Sequence, residues 1–457
     1  MKLYAHQETA VDFLINKGSG ALWLDVGLGK TLIALEYFKY VGGKMLVIAP
    51  LSLLEAAWRK DVEKFTSFSF HNLHKRFSFP DVDIYVINYE SLLNRKKMIS
   101  IADWASENKP MCVLDESSRV KNHLAKTTKN ILELREFFPV RVVMSATPAP
   151  NTETEYFPQM EFVKPGILGK NFYKFRNTYF ALCRGGEEIG QGMKINSRVM
   201  QDMFRKGFKY KLVKRETFYR EITPYLIRAK REDCLDLPEA TDEFREVILS
   251  PEGERMYRQM KNDLITERKG KTISVQHAIS KLMKLRQITS GFLINEYGEA
   301  IDAKTNPKLE ELKQTLLEIG SEQVIIWCTF RHEIERIMEM LGDRAVSLYG
   351  ATKDKNSPVK AFIDGSAQYL VAHGRSAGHG LTFVNCSVQI FYSLDFSYEI
   401  YEQSKGRIMR IGQKRSCVYI HLLTKDSAGK DLIDDYILKV LKRKGDNQSL
   451  LEEFCRQ

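Results

Sequence analysis

The chain lacks the features that mark secreted, metal-stabilised or membrane proteins. It has seven cysteines in 457 residues, and no two of them form a C-x-x-C pair. Such scattered cysteines argue against a zinc site or a disulfide framework and favour a reducing compartment. No apolar run is long enough to span a bilayer, and Gln7, Glu8 and Asp12 interrupt the stretch where a signal peptide is apolar. We therefore expect a cytoplasmic protein that has no membrane partner.

Internal repeats and low-complexity segments are also missing, which excludes solenoids and disordered tails. A chain of this length is too long for one core and suits roughly two to four domains. Its hydrophobic content of 44% and charged content of 28% are ordinary for a globular protein.

Short apolar runs alternate with helical stretches, and this alternation predicts an α/β fold with parallel sheets. The predicted strands of the first half are Ala21–Leu24, Met45–Ala49, Asp83–Asn88, Met111–Leu114 and Val140–Met144. A second series follows Pro307 and comprises Val324–Cys328, Ala345–Leu348, Tyr369–Ala372, Val388–Tyr392 and Val418–Leu422. The region between the two series shows no strand rhythm. We expect two α/β lobes in tandem, joined by a mainly helical insertion.

A phosphate-binding loop is predicted between the first strand and the helix that follows it. The segment Asp25-Val-Gly27-Leu-Gly29-Lys30-Thr31 carries two glycines, whose backbone N–H groups can close around phosphate oxygens. Lys30 is placed to reach the β and γ phosphates of ATP, and the Thr31 hydroxyl to hold Mg²⁺. Leu24 stands where the full G-x-x-x-x-G-K-[ST] pattern has its first glycine, so a plain turn before a helix is the alternative.

An acidic pair, Asp115-Glu116, follows the predicted strand that starts at Met111. Functional residues of α/β proteins collect at the carboxyl ends of such strands. We expect Asp115 to hold Mg²⁺ and Glu116 to orient the attacking water. The small hydroxyl residues of Ser145-Ala-Thr147-Pro follow the next strand, where they could sense this pair, although a plain turn is the alternative.

Two arginines near the C-terminus, Arg407 and Arg410, are three residues apart and are predicted to share one helical face. Guanidinium groups match the charge that develops on a transferring phosphoryl group, so we expect both to act in catalysis. A surface salt bridge is the alternative for either.

A basic and aromatic segment lies between Lys164 and Arg231. It contains 17 lysines and arginines against 5 acidic residues, a surplus of +12 in a chain whose net charge is +11. It also contains 11 Phe and Tyr residues, among them Phe172, Tyr173, Phe175, Phe208 and Tyr210. Cations neutralise phosphates and rings stack on bases, which is typical of nucleic-acid binding. A solvated basic face over an aromatic core is the alternative.

These pieces, in this order, resemble superfamily-2 helicases and, within them, the Snf2-like group. The segments that carry the resemblance are Tyr4-Ala-His-Gln7, Asp25 to Thr31, Ile48-Ala-Pro50-Leu-Ser52, Ile87-Asn-Tyr89-Glu90, Asp115-Glu116-Ser-Ser118, Pro224-Tyr-Leu-Ile-Arg228, Ile326-Trp-Cys-Thr329-Phe330, Ser376-Ala-Gly378-His-Gly380-Leu381 and Gln403 to Gln413. The segment Lys284 to Gly291 is similar to one found in the compact Snf2-type branch-migration helicases of bacterial viruses. Ser118 departs from the family, which has a histidine there, and this leaves open how the position couples to Ser145 and Thr147.

The resemblance implies two RecA-like lobes that use ATP and Mg²⁺ and act on DNA. The implied domains are an ATP-binding lobe (1–163), a basic helical insertion (164–235), a helical linker with the start of the second lobe (236–306) and the second lobe (307–457). Beyond the loop residues Gly27, Gly29, Lys30 and Thr31, the implied nucleotide contacts are Gln7, Gly378, Gly380 and Gln403. The implied DNA contacts are Ser52, Tyr89, Thr329 and Arg331, and we add Lys206, Lys209, Lys211, Lys214 and Arg215 from the basic segment.

The sequence leaves three functions open. The first is an ATP-driven helicase or translocase on double-stranded or branched DNA, active as a monomer in replication, recombination or repair. The second is an ATP-dependent RNA helicase. The third is a nucleotide-gated DNA clamp or restriction-complex subunit that separates no strands.

Overall fold

The computed structural model describes residues 3–184, 187–191, 203, 208–270, 275–352, 354–376 and 381–455. The chain divides into two compact units, residues 1–235 with 444–457 (unit 1) and residues 236–443 (unit 2). Within the described part of the chain, no helix combines the length and the apolar character needed to cross a membrane.

Unit 1 is built on a parallel sheet of seven strands. In chain order, its strands and those of a smaller sheet are β1 (Gly20–Leu24), β2 (Met45–Ala49), β3 (Phe70–Asn72), β4 (Ile84–Asn88), β5 (Met111–Asp115), β6 (Val140–Met144), β7 (Phe180–Arg184), β8 (Glu187–Gln191), β9 (Lys209–Leu212) and β10 (Leu226–Ala229). The large sheet has the spatial order β10-β1-β6-β5-β2-β4-β3, and all its pairs are parallel.

The central strands of this sheet are buried on both faces, which is why they read as unbroken apolar runs. Successive side chains of a strand point to opposite faces. In β2, Leu46 and Ile48 accordingly join one hydrophobic cluster, whereas Met45 and Val47 join another. Helices cover each face and leave the carboxyl ends of the strands for the loops.

The helices of unit 1 are α1 (Ala5–Lys17), α2 (Lys30–Val41), α3 (Leu51–Leu53), α4 (Lys60–Phe65), α5 (Arg95–Asn108), α6 (Lys126–Leu134), α7 (Tyr156–Val163), α8 (Phe172–Tyr179), α9 (Arg215–Ile222) and α10 (Arg231–Cys234). A π-helical segment, Leu54–Arg59, joins α3 to α4. Short 3₁₀ turns at Tyr89–Leu93 and Ser117–Val120 follow β4 and β5.

The basic segment differs from the prediction, because it contains strands as well as helices. Strands β7, β8 and β9 form an antiparallel sheet with the order β8-β7-β9, and β10 pairs with β1 at the edge of the large sheet. The expectation of no strand rhythm after Lys164 was therefore wrong. Lys209-Tyr-Lys211-Leu212 does alternate charged and apolar residues with the period of a strand, but four residues are too few for this pattern to stand out in the sequence.

Unit 2 has a second parallel sheet, of six strands. Its strands and those of a small hairpin are β11 (Ala240–Ile248), β12 (Phe292–Ile294), β13 (Ala300–Asp302), β14 (Val324–Cys328), β15 (Ala345–Leu348), β16 (Tyr369–His373), β17 (Val388–Phe391) and β18 (Cys417–Lys425). The sheet order is β11-β18-β17-β14-β16-β15, again with parallel pairs throughout.

The helices that begin in unit 2 are α11 (Pro251–Gly270), α12 (Val275–Thr289), α13 (Pro307–Ile319), α14 (Arg331–Leu341), α15 (Asn356–Ile363), α16 (Tyr398–Lys405) and α17 (Ile433–Cys455). All ten strands predicted from the sequence are present, with ends shifted by no more than three residues. The predicted fold class of two parallel-sheet lobes is confirmed. Strand β11 was not predicted, and it adds an edge strand to unit 2 from the region expected to be a helical linker.

Candidate nucleotide site and nucleic-acid interface

The predicted phosphate loop lies between β1 and the first turn of α2. Gly27 and Gly29 have φ angles of 93° and 79°, in the left-handed region that favours glycine. Lys30 begins α2, and its Nζ donates hydrogen bonds to the carbonyl oxygens of Leu24 at 2.8 Å and Asp25 at 3.1 Å. The loop therefore presents an ammonium group and a helix N-terminus at one place, an arrangement suited to phosphate.

Gln7 ties helix α1 to this loop. Its buried amide accepts a hydrogen bond from the Tyr4 backbone N–H at 3.0 Å and donates one to the Leu28 carbonyl at 3.3 Å. A Cβ placed on Gly29 would lie 2.4 Å from the amide nitrogen of Gln7. The glycine thus allows the amide to pack directly on the loop. The reading of adenine by Gln7 remains a prediction.

The acidic pair sits at the carboxyl end of β5, and both of its residues are buried. Burial raises the pKa of Asp115, while a hydrogen bond from Trp58 and the positive charge of Lys30 act in the opposite direction. Glu116 has a φ of 51°, an uncommon conformation for a residue with a Cβ and one that recurs at functional sites.

Both carboxylate oxygens of Asp115 are held in place. The indole Nε1 of Trp58 donates to Oδ2 at 2.9 Å, and the Glu116 backbone N–H donates to Oδ1 at 2.9 Å. Each oxygen keeps a further lone pair for a cation. Sequence reasoning missed Trp58; the signal available in the sequence was a single tryptophan within the charged stretch from Glu55 to Glu63.

A magnesium ion fits the oxygen donors at this edge of unit 1. Asp115 supplies a carboxylate that is already oriented, and Thr31 supplies a hydroxyl in the first turn of α2. Carboxylate and hydroxyl oxygens, completed by water and nucleotide phosphates, are the ligands that Mg²⁺ takes in nucleotide sites. The roles of Thr31 and Asp115 as metal ligands remain predictions.

The link between the acidic pair and the Ser145–Pro148 turn runs through Gln159, which the sequence reasoning also missed. Its Oε1 accepts a hydrogen bond from Ser117 Oγ at 2.7 Å, and its Nε2 donates to the Pro148 carbonyl at 2.6 Å. Gln159 and Ser117 are completely buried. The Oγ of Ser118, by contrast, has no hydrogen-bond partner among the described residues. The residue in place of the family's histidine is therefore not the one that bridges the two motifs.

The two predicted catalytic arginines do not share a helical face, so that expectation was wrong. Helix α16 ends at Lys405 and is capped by Gly406, and both arginines lie in the turns that follow. Arg407 is buried and donates to the Leu381 carbonyl at 3.2 Å, while Arg410 donates to Thr382 Oγ1 at 2.7 Å. Hydrogen bonds to the adjacent residues Leu381 and Thr382, rather than helical spacing, position the two guanidinium groups.

The remaining predicted nucleotide contacts belong to unit 2. Gln403 is buried within α16. Gly378 and Gly380 lie outside the described residues, although the segment that follows them is the one that anchors both arginines.

The predicted DNA contacts divide into exposed and enclosed residues. Ser52 and Arg331 are exposed, and Arg331 pairs with Glu335 at 2.6 Å. Thr329 is half-buried, and its hydroxyl shares a hydrogen bond of 3.0 Å with Ser393. The prediction for Tyr89 was wrong, because its ring is buried and its hydroxyl donates to the Asp115 carbonyl at 2.8 Å. The Tyr89 hydroxyl holds the backbone of Asp115 in place, and the buried Tyr89 ring is not accessible to DNA.

The cations predicted from the basic segment are mostly on the surface. Lys209, Lys211 and Lys214 are exposed, whereas Arg215 pairs with Glu153 at 3.8 Å. Lys206 lies outside the described residues. Several aromatic residues of the same segment belong to the core of unit 1, among them Phe175, which is completely buried and cannot stack on a base.

Two protein-family models match the chain, and several known proteins are similar to it. The model of the SNF2-related domain matches residues 6–291, and that of the helicase conserved C-terminal domain matches residues 307–412. The chain is 24% identical to nuclear protein STH1/NPS1 of Saccharomyces cerevisiae over 98% of this chain and 35% of that protein. It is 22% identical to putative protein p41 of Acyrthosiphon pisum secondary endosymbiont phage 1, over 96% of this chain and 98% of that one.

Two further proteins are similar to the chain. The DNA repair and recombination protein RDH54 of Saccharomyces cerevisiae is 24% identical over 87% of this chain and 44% of its own length. The SWI2/SNF2 ATPase core of Sulfolobus solfataricus in complex with dsDNA aligns with 93% of this chain and 88% of that one, at 22% identity and a TM-score of 0.44. The chain thus spans less than half of the yeast relatives named here and nearly all of the phage protein.

Proposed function

The chain belongs to the SNF2-related family, and from this premise we propose that it is a DNA-dependent ATPase of the helicase type that works as an ATP-driven motor on double-stranded or branched DNA. The supporting observation is the arrangement at the carboxyl edge of the unit 1 sheet. A lysine at a helix N-terminus and an oriented, buried aspartate meet there, and phosphoryl transfer needs both.

Each residue of the site has a definite task in this proposal. Lys30 exchanges its two loop carbonyls for nucleotide phosphates, and Asp115 with Thr31 holds Mg²⁺, which supplies charge neutralisation at those phosphates. Glu116 orients the attacking water from its constrained backbone position. Arg407 and Arg410 stabilise the charge of the transition state.

The biological setting is proposed from the relatives. One of them is named as a DNA repair and recombination protein, and the phage protein is spanned almost completely. We therefore propose a role in recombination, repair or replication of DNA, with branch migration, fork remodelling or limited unwinding as the work done. We further propose that one chain is the active unit.

The first experiment separates hydrolysis from DNA binding. We expect Lys30→Ala to abolish ATP turnover and to leave DNA affinity unchanged, because the proposal assigns the Lys30 ammonium group to the nucleotide phosphates and not to DNA. Lys39→Ala is the matched control, since Lys39 lies in the same helix and forms only an exposed ion pair with Glu36. ATP turnover within a few-fold of wild type in Lys30→Ala would refute the assignment of Lys30 to the nucleotide site.

Glu116→Gln should bind ATP without hydrolysing it and stay bound to DNA.

A second experiment asks which substrate is moved. ATP turnover and strand displacement are measured with blunt duplex, forked DNA, a four-way junction, single-stranded DNA and structured RNA. The proposal expects stimulation by duplex or branched DNA together with ATP-dependent remodelling of forks or junctions. Preferential stimulation by RNA would favour the RNA helicase, and hydrolysis without any movement of strands would favour the nucleotide-gated clamp.

A third experiment tests the basic segment as a phosphate-binding surface. We expect simultaneous replacement of Lys206, Lys209, Lys211, Lys214 and Arg215 by glutamine to weaken duplex binding and flatten its salt dependence. Each lost phosphate contact should reduce the slope of log K against log salt by about 0.9. Turnover at saturating DNA should fall much less. A normal salt slope would show that these cations only solvate the surface.

A further inference from the structure

One tyrosine of the basic segment differs from its aromatic neighbours, because it points away from the core. Tyr173, in the first turn of α8, is 57% exposed, whereas Phe175 and Tyr179 of the same helix are buried. An exposed aromatic ring loses hydrophobic stabilisation that burial would provide. The residues around Tyr173 indicate which kind of ligand the exposed ring can bind.

Three side chains, those of Arg176, Phe172 and His123, contact the Tyr173 ring. The guanidinium of Arg176 lies 5.5 Å from the centre of the Tyr173 ring and 4.4 Å from that of Tyr210 in β9. Phe172 and His123 stack on each other with ring centres 3.4 Å apart, and both meet Tyr173 edge-on, at 6.0 Å and 6.2 Å. We name these five residues the Tyr173 platform. The ring is therefore held in place before any ligand arrives, which reduces the entropy lost on binding.

The segments that supply the platform carry charge of one sign. They are 121–129, 172–179 and 209–212, and they contain seven lysines and arginines and no aspartate or glutamate. The segment 121–129 follows the acidic pair of the nucleotide site after the 3₁₀ turn Ser117–Val120 and was not part of the predicted DNA surface. Burial, with the charges of Arg176 and Lys129, lowers the pKa of His123 to about 4, so this ring stays neutral at physiological pH. Such a surface complements a polyanion.

We propose that the Tyr173 platform stacks on an unpaired base of a DNA strand whose flanking phosphates contact the surrounding lysines. In a duplex, base faces are covered by neighbouring pairs, so a surface ring can reach only a base that has left the helix. Aromatic stacking with cation–π support is the usual way in which proteins hold single strands without reading sequence. The choice of DNA over RNA as the ligand rests on the proposed function. In addition to that function, the Tyr173 platform provides a binding site for the single strand released at a fork or junction.

The test separates base stacking from phosphate contact and uses the full chain without nucleotide. Fluorescence anisotropy measures binding to a labelled 20-nucleotide oligothymidylate and to a matched strand of abasic residues with the same number of phosphates. Wild type should prefer the strand with bases, and Tyr173→Ala should lose about 5- to 150-fold of affinity for it. Its affinity for the abasic strand should not change. Tyr173→Phe keeps the ring and should bind like wild type.

Two variants supply the controls. Lys174→Gln should weaken binding to both strands equally and reduce the salt slope by about 0.7, the value for one phosphate of a single strand. Tyr40→Ala removes another exposed tyrosine of unit 1, at 66% exposure in α2, and should change nothing. Because Tyr173 lies outside the core, thermal unfolding of Tyr173→Ala should match wild type.

Any one of three results would refute base stacking on Tyr173. The first is wild-type affinity of Tyr173→Ala for oligothymidylate. The other two are an equal loss of affinity for the abasic strand and an equal loss of affinity for blunt duplex. Preference for a matched RNA strand over DNA in wild type would overturn the choice of DNA. These measurements contain no ATP, so their failure leaves the proposed motor intact. Conversely, failure of DNA to stimulate hydrolysis would refute the motor while base-dependent binding persisted.

Discussion

The bridge formed by Gln159 leads to a test of how the nucleotide site communicates with the rest of unit 1. Gln159→Met keeps the length and approximate volume of the side chain but removes both the acceptor for Ser117 and the donor to Pro148. Both partners are buried. Since a buried polar group that loses its partner costs about 1–3 kcal/mol, the variant should be less stable by about 2–6 kcal/mol. A domain with a stability of about 10 kcal/mol, in the middle of the usual range, still folds after such a loss.

The functional effect should be selective. Gln159 contacts neither the phosphate loop nor the Asp115 carboxylate, so basal ATP turnover should fall little. Stimulation by DNA requires that the acidic pair respond to events elsewhere, and a typical coupling free energy of about 1–3 kcal/mol corresponds to about 5- to 150-fold. We therefore expect the ratio of DNA-stimulated to basal turnover to fall by a factor in this range. The assay is steady-state phosphate release with and without saturating duplex.

Gln323→Met is the matched control for this variant. The Gln323 amide donates to the carbonyls of Phe362 at 2.6 Å and Ala367 at 3.0 Å and accepts from Asn385 at 2.9 Å, but it joins no nucleotide motifs. It should lose comparable stability and keep the normal stimulation ratio. The reasoning fails if Gln159→Met keeps a normal ratio, or if Gln323→Met lowers the ratio equally.

Two further predictions concern the supports of the site. Trp58→Phe should be less stable than Trp23→Phe by about 1.5–3 kcal/mol, the usual worth of a hydrogen bond to a charged group. Trp23 is also buried, but its Nε1 has no partner among the described residues, so both variants lose similar packing and only one loses a hydrogen bond. Equal unfolding free energies would contradict the role of Trp58 in orienting Asp115. Gly29→Ala should weaken ATP binding far more than Gly42→Ala, as measured by titration with a fluorescent ATP analogue. Both glycines have positive φ angles, 79° and 69°, but only at Gly29 would a Cβ collide with a buried amide. Similar ATP affinities of the two variants would show that the effect of Gly29→Ala comes from its positive φ angle alone and not from a collision with the Gln7 amide.

Local pattern was enough to predict much of the fold and the centre of the nucleotide site. The central strands are apolar on both faces because helices cover both sides of each sheet, and such runs are visible in the sequence. The loop from Asp25 to Thr31 and the pair Asp115-Glu116 are contiguous, so spacing along the chain already places their functional groups. The small sheet of β7, β8 and β9 was missed because its strands are only four or five residues long and lie in a segment dominated by basic residues.

The sequence by itself therefore determined the two parallel-sheet units, the phosphate loop and the acidic pair, since each depends on residues close together in the chain. Only the tertiary structure decided which distant side chains support them. Trp58 reaches Asp115 across 57 positions and Gln159 reaches Ser117 across 42, and no periodicity reports such contacts. Burial likewise turned Tyr89 from a predicted DNA contact into a support, and it left Tyr173 as the ring that faces solvent. Exposure of a side chain is set by what packs over it, and that is a property of the folded chain.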